Sequence, residues 1–175
     1  NPLYRDDSYT AYTVWAYFRG ITAPTFFTIS GLVVLYLMLK ANEKGDDSVR
    51  VKKGLTRGLM LIGIGYLLRI PFFSWFKGQF DTYFLVIDVL QCIGLSLLML
   101  IGLYFLAQKN SKVLSILLLV TSFVIFICEP LYRNLTLPNV PLVFSNYLSK
   151  ANGSVFTIIP WFGYVAFGGF LATMF

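Results

Sequence analysis

Residues 83–106 read YFLVIDVLQCIGLSLLMLIGLYFL, an apolar run interrupted by one charged residue, Asp88. A helix rises about 1.5 Å per residue and the hydrocarbon core of a bilayer is about 30 Å thick, so about 20 apolar residues suffice to cross it. In hydrocarbon each backbone polar group must be satisfied within its own segment, which favours a helix. This stretch therefore predicts a membrane-spanning helix.

Four more apolar runs flank this one. The full set of predicted helices covers residues 21–40, 54–70, 83–106, 113–129 and 158–175. We therefore expect an all-α protein, a polytopic integral membrane helical bundle with about five transmembrane helices in a single domain over residues 1–175. Because the sequence begins at Asn1 without a methionine and its last residue, Phe175, lies in an apolar run, we expect a fragment of a longer protein.

The overall composition supports a lipid environment. Hydrophobic residues make up 57% of the chain and charged residues only 13%, whereas soluble domains carry about 25% charged residues. So little charge cannot cover the surface of a globule in water, which excludes a soluble globular domain. The lipid bilayer is therefore an expected partner.

The positive charge is concentrated between two predicted helices. The net charge is +6, and six of the fourteen Lys and Arg residues lie between Lys40 and Arg57. Dense Lys and Arg mark cytoplasmic loops, so we expect residues 41–53 and 107–112 to be cytoplasmic and residues 130–157 to form a partly ordered external cap. The basic residues form no aromatic-interleaved patch, so we expect no nucleic-acid partner.

Chemically versatile side chains are few in this sequence. There is no histidine, and the two cysteines, Cys92 and Cys128, lie in apolar runs without metal-ligand spacing. We interpret both cysteines as small buried hydrophobes and expect no metal site. Gly54 and Gly58, followed by Gly63 and Gly65, are typical of helices that approach closely.

Polar residues inside predicted spans are costly, and they usually face the protein interior or a water-filled cavity. Asp88, Gln91 and Cys92 have the i, i+3, i+4 spacing of one helical face. Asp88 is predicted to lie about five residues inside the outer end of its helix. It either orients a substrate or a base, or it pairs with Arg19 or Arg69.

The first and second predicted helices add three further candidates on the outer side. Arg19 and Thr22 share one helical face beside Pro24, whose missing N–H loosens the backbone. A cation beside a loosened backbone suits an anionic or polyhydroxy ligand, although Arg19 could instead extend its charge into the headgroup region. Arg69 ends the second helix, where it either pairs with Asp81 or Asp88 or contacts headgroups.

Four segments resemble, in order, the heparan-α-glucosaminide N-acetyltransferase-like family of transmembrane acyltransferases. They are residues 18–31 (FRGITAPTFFTISG), 57–63 (RGLMLIG), 88–94 (DVLQCIG) and 160–168 (PWFGYVAFG). The family's first helix, with an Asp-x-x-Arg-Gly motif and a downstream histidine, has no counterpart here and would lie upstream of Asn1. The catalytic base therefore cannot be assigned to this chain.

The resemblance implies an enzyme that moves an acyl group, acetyl in this family, from cytoplasmic acyl-CoA to a saccharide acceptor on the external side. The expected substrate-binding residues are Arg19, Thr22, Arg69, Asp88 and Gln91. The expected contacts to the phosphates of the acyl-CoA co-substrate are Arg50, Lys53 and Arg57, although these charges could serve topology alone. No bound cofactor is expected.

The expected location is the cytoplasmic (inner) membrane of a bacterium, and a homo-oligomer is compatible with the sequence. Two other functions stay open at this point: a polytopic small-molecule transporter and a non-catalytic membrane subunit. Transport would also require buried charges and a kinked helix, but an inverted repeat, which would favour it, is not evident in the sequence.

Overall fold

A computed structural model describes residues 10–71, 78, 82–108, 110–132, 135–137 and 139–175, which include helices but no β-strand. The all-α prediction is therefore confirmed for this part of the chain. The helices are α1 (Thr10–Glu43), α2 (Asp47–Leu68), a 3-10 turn (Thr82–Leu85), α3 (Val89–Leu106), α4 (Ser111–Ile127), α5 (Glu129–Tyr132), α6 (Leu142–Leu148) and α7 (Ile158–Ala172). The five longest correspond to the five predicted segments.

The second helix begins earlier than its apolar run. We predicted a start near Gly54, but α2 begins at Asp47 and includes the basic residues Arg50, Lys52 and Lys53. Lys and Arg are good helix formers, and an acidic residue in the first turn interacts favourably with the helix dipole. A three-residue turn containing Gly45, at φ 74°, folds α1 back onto α2. This left-handed conformation favours glycine.

The third helix begins later than its apolar run, which corrects the predicted depth of Asp88. The prediction placed Asp88 inside a helix starting at residue 83, but the structure places it at the N-cap of α3. Asp88 and Gln91 form a capping box, an arrangement that satisfies backbone N–H groups at a helix start. Asp88 therefore lies at the N-terminal end of α3 and not within its length.

Two helices of the described part are long and apolar enough to cross a membrane, namely residues 12–43 of α1 and Val89–Leu106 of α3. The apolar helices α4 and α7 are shorter, and α2 carries several basic residues in its first half. Large apolar side chains are exposed on all five long helices, as at Ile29, Leu59 and Ile116. The structure does not confirm five transmembrane helices, and that number stays a prediction.

Helix α7 lies at the centre of the bundle. It packs against α1, α3 and α4, while α2 packs along α3. The core that these helices share contains fully buried side chains from four of them, including Phe27, Leu35, Leu100, Leu118 and Val165. Burial of such side chains stabilises the packed arrangement.

Glycines allow two helix pairs to bring their backbones together. A Cβ atom at Gly31 of α1 would overlap the carbonyl of Val165, and one at Gly168 of α7 would overlap the carbonyl of Thr28. In the other pair, a Cβ atom at Gly94 of α3 would lie 2.6 Å from the carbonyl oxygen of Gly58. The close approach predicted for the glycines of α2 is thus confirmed at Gly58.

The remaining glycines of α2 differ in their surroundings. A Cβ atom at Gly54 would lie 2.9 Å from Ile101 Cδ1, and one at Gly65 would lie 2.5 Å from Gln91 Cδ. A Cβ atom at Gly63 would meet nothing within 4 Å. Gly54 and Gly65 therefore take part in the predicted close packing, whereas Gly63 does not.

The segment that follows α4 forms a hydrogen-bonded cap over one end of α3. Asn146 Nδ2 of α6 donates to the carbonyl oxygen of Leu85 at 2.9 Å, and the backbone N–H of Ile87 donates to Ser154 Oγ at 3.2 Å. Ser145, Asn146 and Ser154 are buried. The expectation of an ordered cap in residues 130–157 is met by their described part.

Candidate functional site

An ion pair joins the ends of α2 and α3 beneath this cap. Arg69 Nη2 donates to Asp88 Oδ2 at 3.0 Å, and Arg69 Nε donates to the same oxygen at 3.3 Å. The Arg69 side chain is 16% exposed and the Asp88 side chain 45% exposed. The guanidinium is thus mostly enclosed, while the carboxylate remains accessible. Pairing with Asp88 was one of the alternatives that the sequence left open for Arg69.

Gln91 lies next to this ion pair and is fully buried. Its Oε1 accepts from the backbone N–H of Asp88 at 3.2 Å, and its amide packs against Gly65. Its Nε2 is buried and has no hydrogen-bond partner among the described residues. An unsatisfied buried donor costs about 1–3 kcal/mol, so Gln91 offers an N–H group to a polar atom that is not part of the described chain.

A pair of tyrosines connects α2 to the cap. Tyr66 Oη donates to Tyr147 Oη at 3.2 Å, across a separation of 81 residues. Burial raises the pKa of Tyr147. The sequence analysis did not single out either tyrosine. No local pattern could have paired them, because their contact depends on how the cap folds back.

Cys92 shares the buried face of α3 with Gln91. It is fully buried, and its Sγ donates to the carbonyl oxygen of Thr157 at 3.4 Å. The interpretation of Cys92 as a small buried hydrophobe is confirmed. Cys128 is half-buried at the end of α4.

Of the two candidate residues in α1, the structure describes the side chain of Thr22 only. Thr22 is exposed, and its Oγ1 donates to the carbonyl oxygen of Phe18 at 3.0 Å, within its own helix. The side chain of Arg19 lies outside the described residues, as does the whole of Asp81. The structure brings Arg69, Asp88 and Gln91 together, while the predicted sharing of one cavity with Arg19 stays a prediction.

A cationic cavity of about 430 Å³ lies at the opposite end of α2, where α1 turns into it. Its charged lining comprises four cations and one carboxylate: Lys40, Lys44, Asp46, Arg50 and Lys53. Two of the three predicted phosphate contacts, Arg50 and Lys53, therefore line it. Arg57 lies two turns after Arg50 on α2, where it is exposed and does not line this cavity.

A buried contact fixes the start of α2 near this cavity. Asp47 is 8% exposed, and Tyr104 Oη donates to its Oδ2 at 3.3 Å. The sequence analysis missed Asp47 because it placed this residue in a loop. An acidic residue just before a helical run is, however, a typical start signal.

The two candidate sites lie at opposite ends of an antiparallel helix pair. The Asp47–Tyr104 contact marks the cavity end of α3, and the Arg69–Asp88 pair marks the other end. The 18 residues of α3 extend about 27 Å at 1.5 Å per residue. The cationic cavity and the buried Gln91 amide are thus separated by about the length of a membrane-crossing helix.

Comparisons with known proteins point to one family. The sequence model described as "Heparan-alpha-glucosaminide N-acetyltransferase, catalytic" matches residues 2–175. Searches of curated proteins and of solved structures give no match. Within the described ranges, no group of three or more His, Cys, Asp or Glu side chains could hold a metal ion.

Proposed function

The chain belongs to the heparan-α-glucosaminide N-acetyltransferase catalytic family, and on that premise we propose that it transfers an acetyl group from acyl-CoA to a saccharide across a membrane. The coarser conclusion is that it is a member of a membrane-embedded acetyltransferase family. The identity of the acyl donor, the identity of the acceptor and the side of the membrane on which each binds are our proposals.

The observation that carries the proposal is the placement of two unlike sites at opposite ends of α2 and α3. One is a cavity lined by several cations, and the other is an accessible carboxylate beside a buried amide donor. Transfer across a membrane needs a site for the charged donor on one side and a site for the acceptor on the other. This arrangement favours acetyl transfer over a non-catalytic membrane subunit.

We assign the cationic cavity to the phosphate groups of acyl-CoA. Lys and Arg are the usual phosphate ligands, and Arg can bind phosphate through two parallel hydrogen bonds. Arg50 and Lys53 lie one turn apart on α2, and Lys40 and Lys44 contribute from the end of α1. Arg57 continues the face of Arg50 and Lys53 at i+7, so it belongs to the proposed donor surface beyond the cavity itself.

We assign the opposite end to the saccharide. Asp88 would accept a hydrogen bond from the attacking hydroxyl or amine, Arg69 would hold the carboxylate in place, and Gln91 Nε2 would donate to a substrate oxygen. Arg19 and Thr22 belong to this surface by the sequence prediction. A donor near the thioester carbonyl stabilises the charge that develops on its oxygen during acyl transfer.

The proposed reaction replaces one acyl bond by another. The acceptor oxygen or nitrogen attacks the thioester carbonyl carbon, the carbon–sulfur bond breaks, and CoA leaves as a thiolate, which takes up the proton that the acceptor has lost. This proton passes by way of a base. Because the sequence contains no histidine, that base is not an imidazole of this chain.

The test uses the whole protein in sealed membrane vesicles. Acetyl-CoA labelled in its acetyl group is supplied on the cytoplasmic face, and an amino sugar or neutral sugar on the other. We expect labelled sugar and an equal amount of free CoA thiol. Sugar crossing the membrane unmodified, without thiol release, would support a transporter and contradict the proposal. The bacterial inner membrane is the proposed location.

A further inference from the structure

A second polar pocket, of about 270 Å³, lies at the outer ends of α4 and α7. Among the described residues that line it are one carboxylate, Glu129, and one ammonium group, Lys150, together with Tyr132. A carboxylate accepts several hydrogen bonds and an ammonium group donates three. A pocket that offers both acceptors and donors suits a group rich in hydroxyls, which can donate and accept at once.

An apolar groove of about 440 Å³ lies between α1, α4 and α7. Three serine and threonine hydroxyl groups occur in its wall, but each donates to a backbone carbonyl oxygen: Thr25 to Ile21 at 2.9 Å, Thr28 to Pro24 at 2.9 Å, and Ser122 to Gly163 at 3.0 Å. With these donors used, the wall presents mainly the side chains of Ile29, Phe123, Phe126, Tyr164 and Phe167. Such a wall suits a hydrocarbon chain.

The pocket and the groove follow one another along the same two helices. Pro160 lines the pocket and Tyr164 lines the groove, and the two are one turn apart on α7, about 6 Å along the axis. Phe126 lines the groove, its ring centroid 4.9 Å from that of Tyr164, and Glu129 follows three residues later in the pocket. Polar and apolar binding surfaces are therefore adjacent, with the polar one at the outer end.

We propose that this pair of surfaces binds a glycolipid, with its sugar in the outer pocket and its hydrocarbon tail in the groove. The pocket adjoins the acceptor surface assigned above, because Thr157 in its wall accepts a hydrogen bond from Cys92, the residue after Gln91. This inference rests on the proposed function and names its acceptor class. A free sugar would use only the pocket, and a lipid tail without a sugar only the groove. A glycolipid matches both surfaces and their order from outside to inside.

The kinetic test compares acceptors that carry one sugar on methyl, octyl and dodecyl chains. With the native protein we expect KM to fall at least tenfold from methyl to dodecyl. Ile29→Trp, which fills the groove, should abolish that fall while leaving KM for the methyl glycoside unchanged. Ile116→Trp is the matched control, since Ile116 is also an exposed isoleucine but does not line the groove. Each glycoside partitions into the lipid to the same extent with the native protein and with either variant, so partitioning cannot account for a difference between them.

A separate variant tests the sugar pocket. Lys150 is exposed, so Lys150→Met should leave folding intact. We expect it to raise KM about tenfold for all three glycosides, because the sugar loses its donor whatever the chain. Acetylation of all three glycosides without any dependence on chain length would overturn the glycolipid inference and leave the saccharide acceptor standing. If no glycoside is acetylated, the proposed function itself fails.

A binding measurement tests the inference without catalysis. A dodecyl glycoside with a photoreactive group at the end of its chain is cross-linked to the protein in membranes, and the adducts are mapped by mass spectrometry. We expect adducts on the peptides containing Phe123, Phe126 and Phe167, and far fewer in Ile29→Trp. Absence of adducts there, or equal labelling by a photoreactive phosphatidylcholine that the glycoside does not displace, would overturn the inference.

Discussion

Arg69 contacts a single carboxylate oxygen of Asp88 through two nitrogens, Nη2 at 3.0 Å and Nε at 3.3 Å. Both donors converge on Oδ2 and do not form the parallel pairing of a guanidinium with both carboxylate oxygens. Oδ1 is therefore not engaged by these two hydrogen bonds. The pair holds the carboxylate in place and keeps acceptor capacity for a further hydrogen bond.

Asp88→Asn should separate the chemical role of this carboxylate from its structural one. Asparagine is as good an N-cap as aspartate, and an ion pair with one partner 45% exposed contributes about 0–1 kcal/mol. We therefore expect a loss of at most about 1 kcal/mol in stability, with acetyl transfer reduced about 100-fold or more. Thermal unfolding in detergent and CoA release measure the two effects.

Asp88→Ala is the companion variant, because it removes the cap as well as the charge. It should cost about 1 kcal/mol more than Asp88→Asn. Turnover close to the native rate in a folded Asp88→Asn protein would remove Asp88 from the acceptor site.

Removing charge from the cationic cavity should weaken donor binding selectively. We expect Arg50→Gln with Lys53→Gln to raise KM for acetyl-CoA about tenfold or more and to leave KM for the sugar unchanged, because the cavity lies at the far end of α3. The effect should shrink at high salt, which screens these charges. Lys52→Gln is the control, since Lys52 is exposed on the same helix but does not line the cavity. If Lys52→Gln had the same effect as the double substitution, the positive charge would serve only to orient the chain in the membrane.

Gly31→Ala should be poorly tolerated. Its new Cβ would overlap the carbonyl of Val165, and backbone cannot move aside as a flexible side chain can. Overpacking usually costs about 1–3 kcal/mol, and we expect this variant to reach or exceed that range. Gly63→Ala is the matched control: nothing lies within 4 Å, so it should be neutral or stabilise by about 0.5–1 kcal/mol. Thermal unfolding of both variants measures the difference in stability. Equal stability would show that α1 and α7 pack less closely than the structure indicates.

The orientation of the chain can be tested by labelling single cysteines with a membrane-impermeant maleimide. Cys128 is half-buried and is first replaced by serine, whereas Cys92 is buried and can stay. In intact bacteria we expect Lys150→Cys to react and Asp46→Cys to react only after lysis. Both positions are exposed. Reaction of Asp46→Cys from outside would reverse the assigned orientation and, with it, the side on which acyl-CoA binds.

Stability should decline at alkaline pH through Tyr147. Burial raises its pKa in the folded state above the unfolded value of about 10. Its contribution is complete below about pH 10 and is lost as the pH rises further, because the unfolded state then loses the proton more readily. Tyr147→Phe should flatten the slope of unfolding free energy between pH 10 and 11. Tyr17→Phe, at an exposed position, should leave the slope unchanged.

The sequence predicted where the long helices lie but not where two of them begin. Residues 83–87 are as apolar as the helix that follows Asp88, so hydropathy could not reveal that Asp88 and Gln91 start α3 with a capping box. Helix α2, in contrast, begins before its apolar run, because its first turns contain charged residues that hydropathy assigns to a loop. Hydrophobicity locates the membrane-facing part of a helix, whereas local hydrogen bonds and propensity set its ends.

The candidate site was predictable only where its residues are close in sequence. Helical spacing placed Gln91 and Cys92 on one face, and both are buried there. The participation of Lys40 and Lys44 with Arg50 and Lys53 required the three-residue turn at Gly45. The Tyr66–Tyr147 contact required the fold of the cap. These contacts depend on tertiary structure, which the periodicity of one helix does not encode.

Close glycine contacts group four of the long helices into two pairs, or units. In one unit α1 and α7 touch backbone to backbone at Gly31 and Gly168, and in the other α2 and α3 do so at Gly58 and Gly94. Neither pair can slide without a steric clash. The whole cationic cavity lies at the turn between α1 and α2, and the Arg69–Asp88 pair lies within the second unit. A relative rotation of the two units would therefore reshape the donor cavity while leaving the geometry of the carboxylate unchanged.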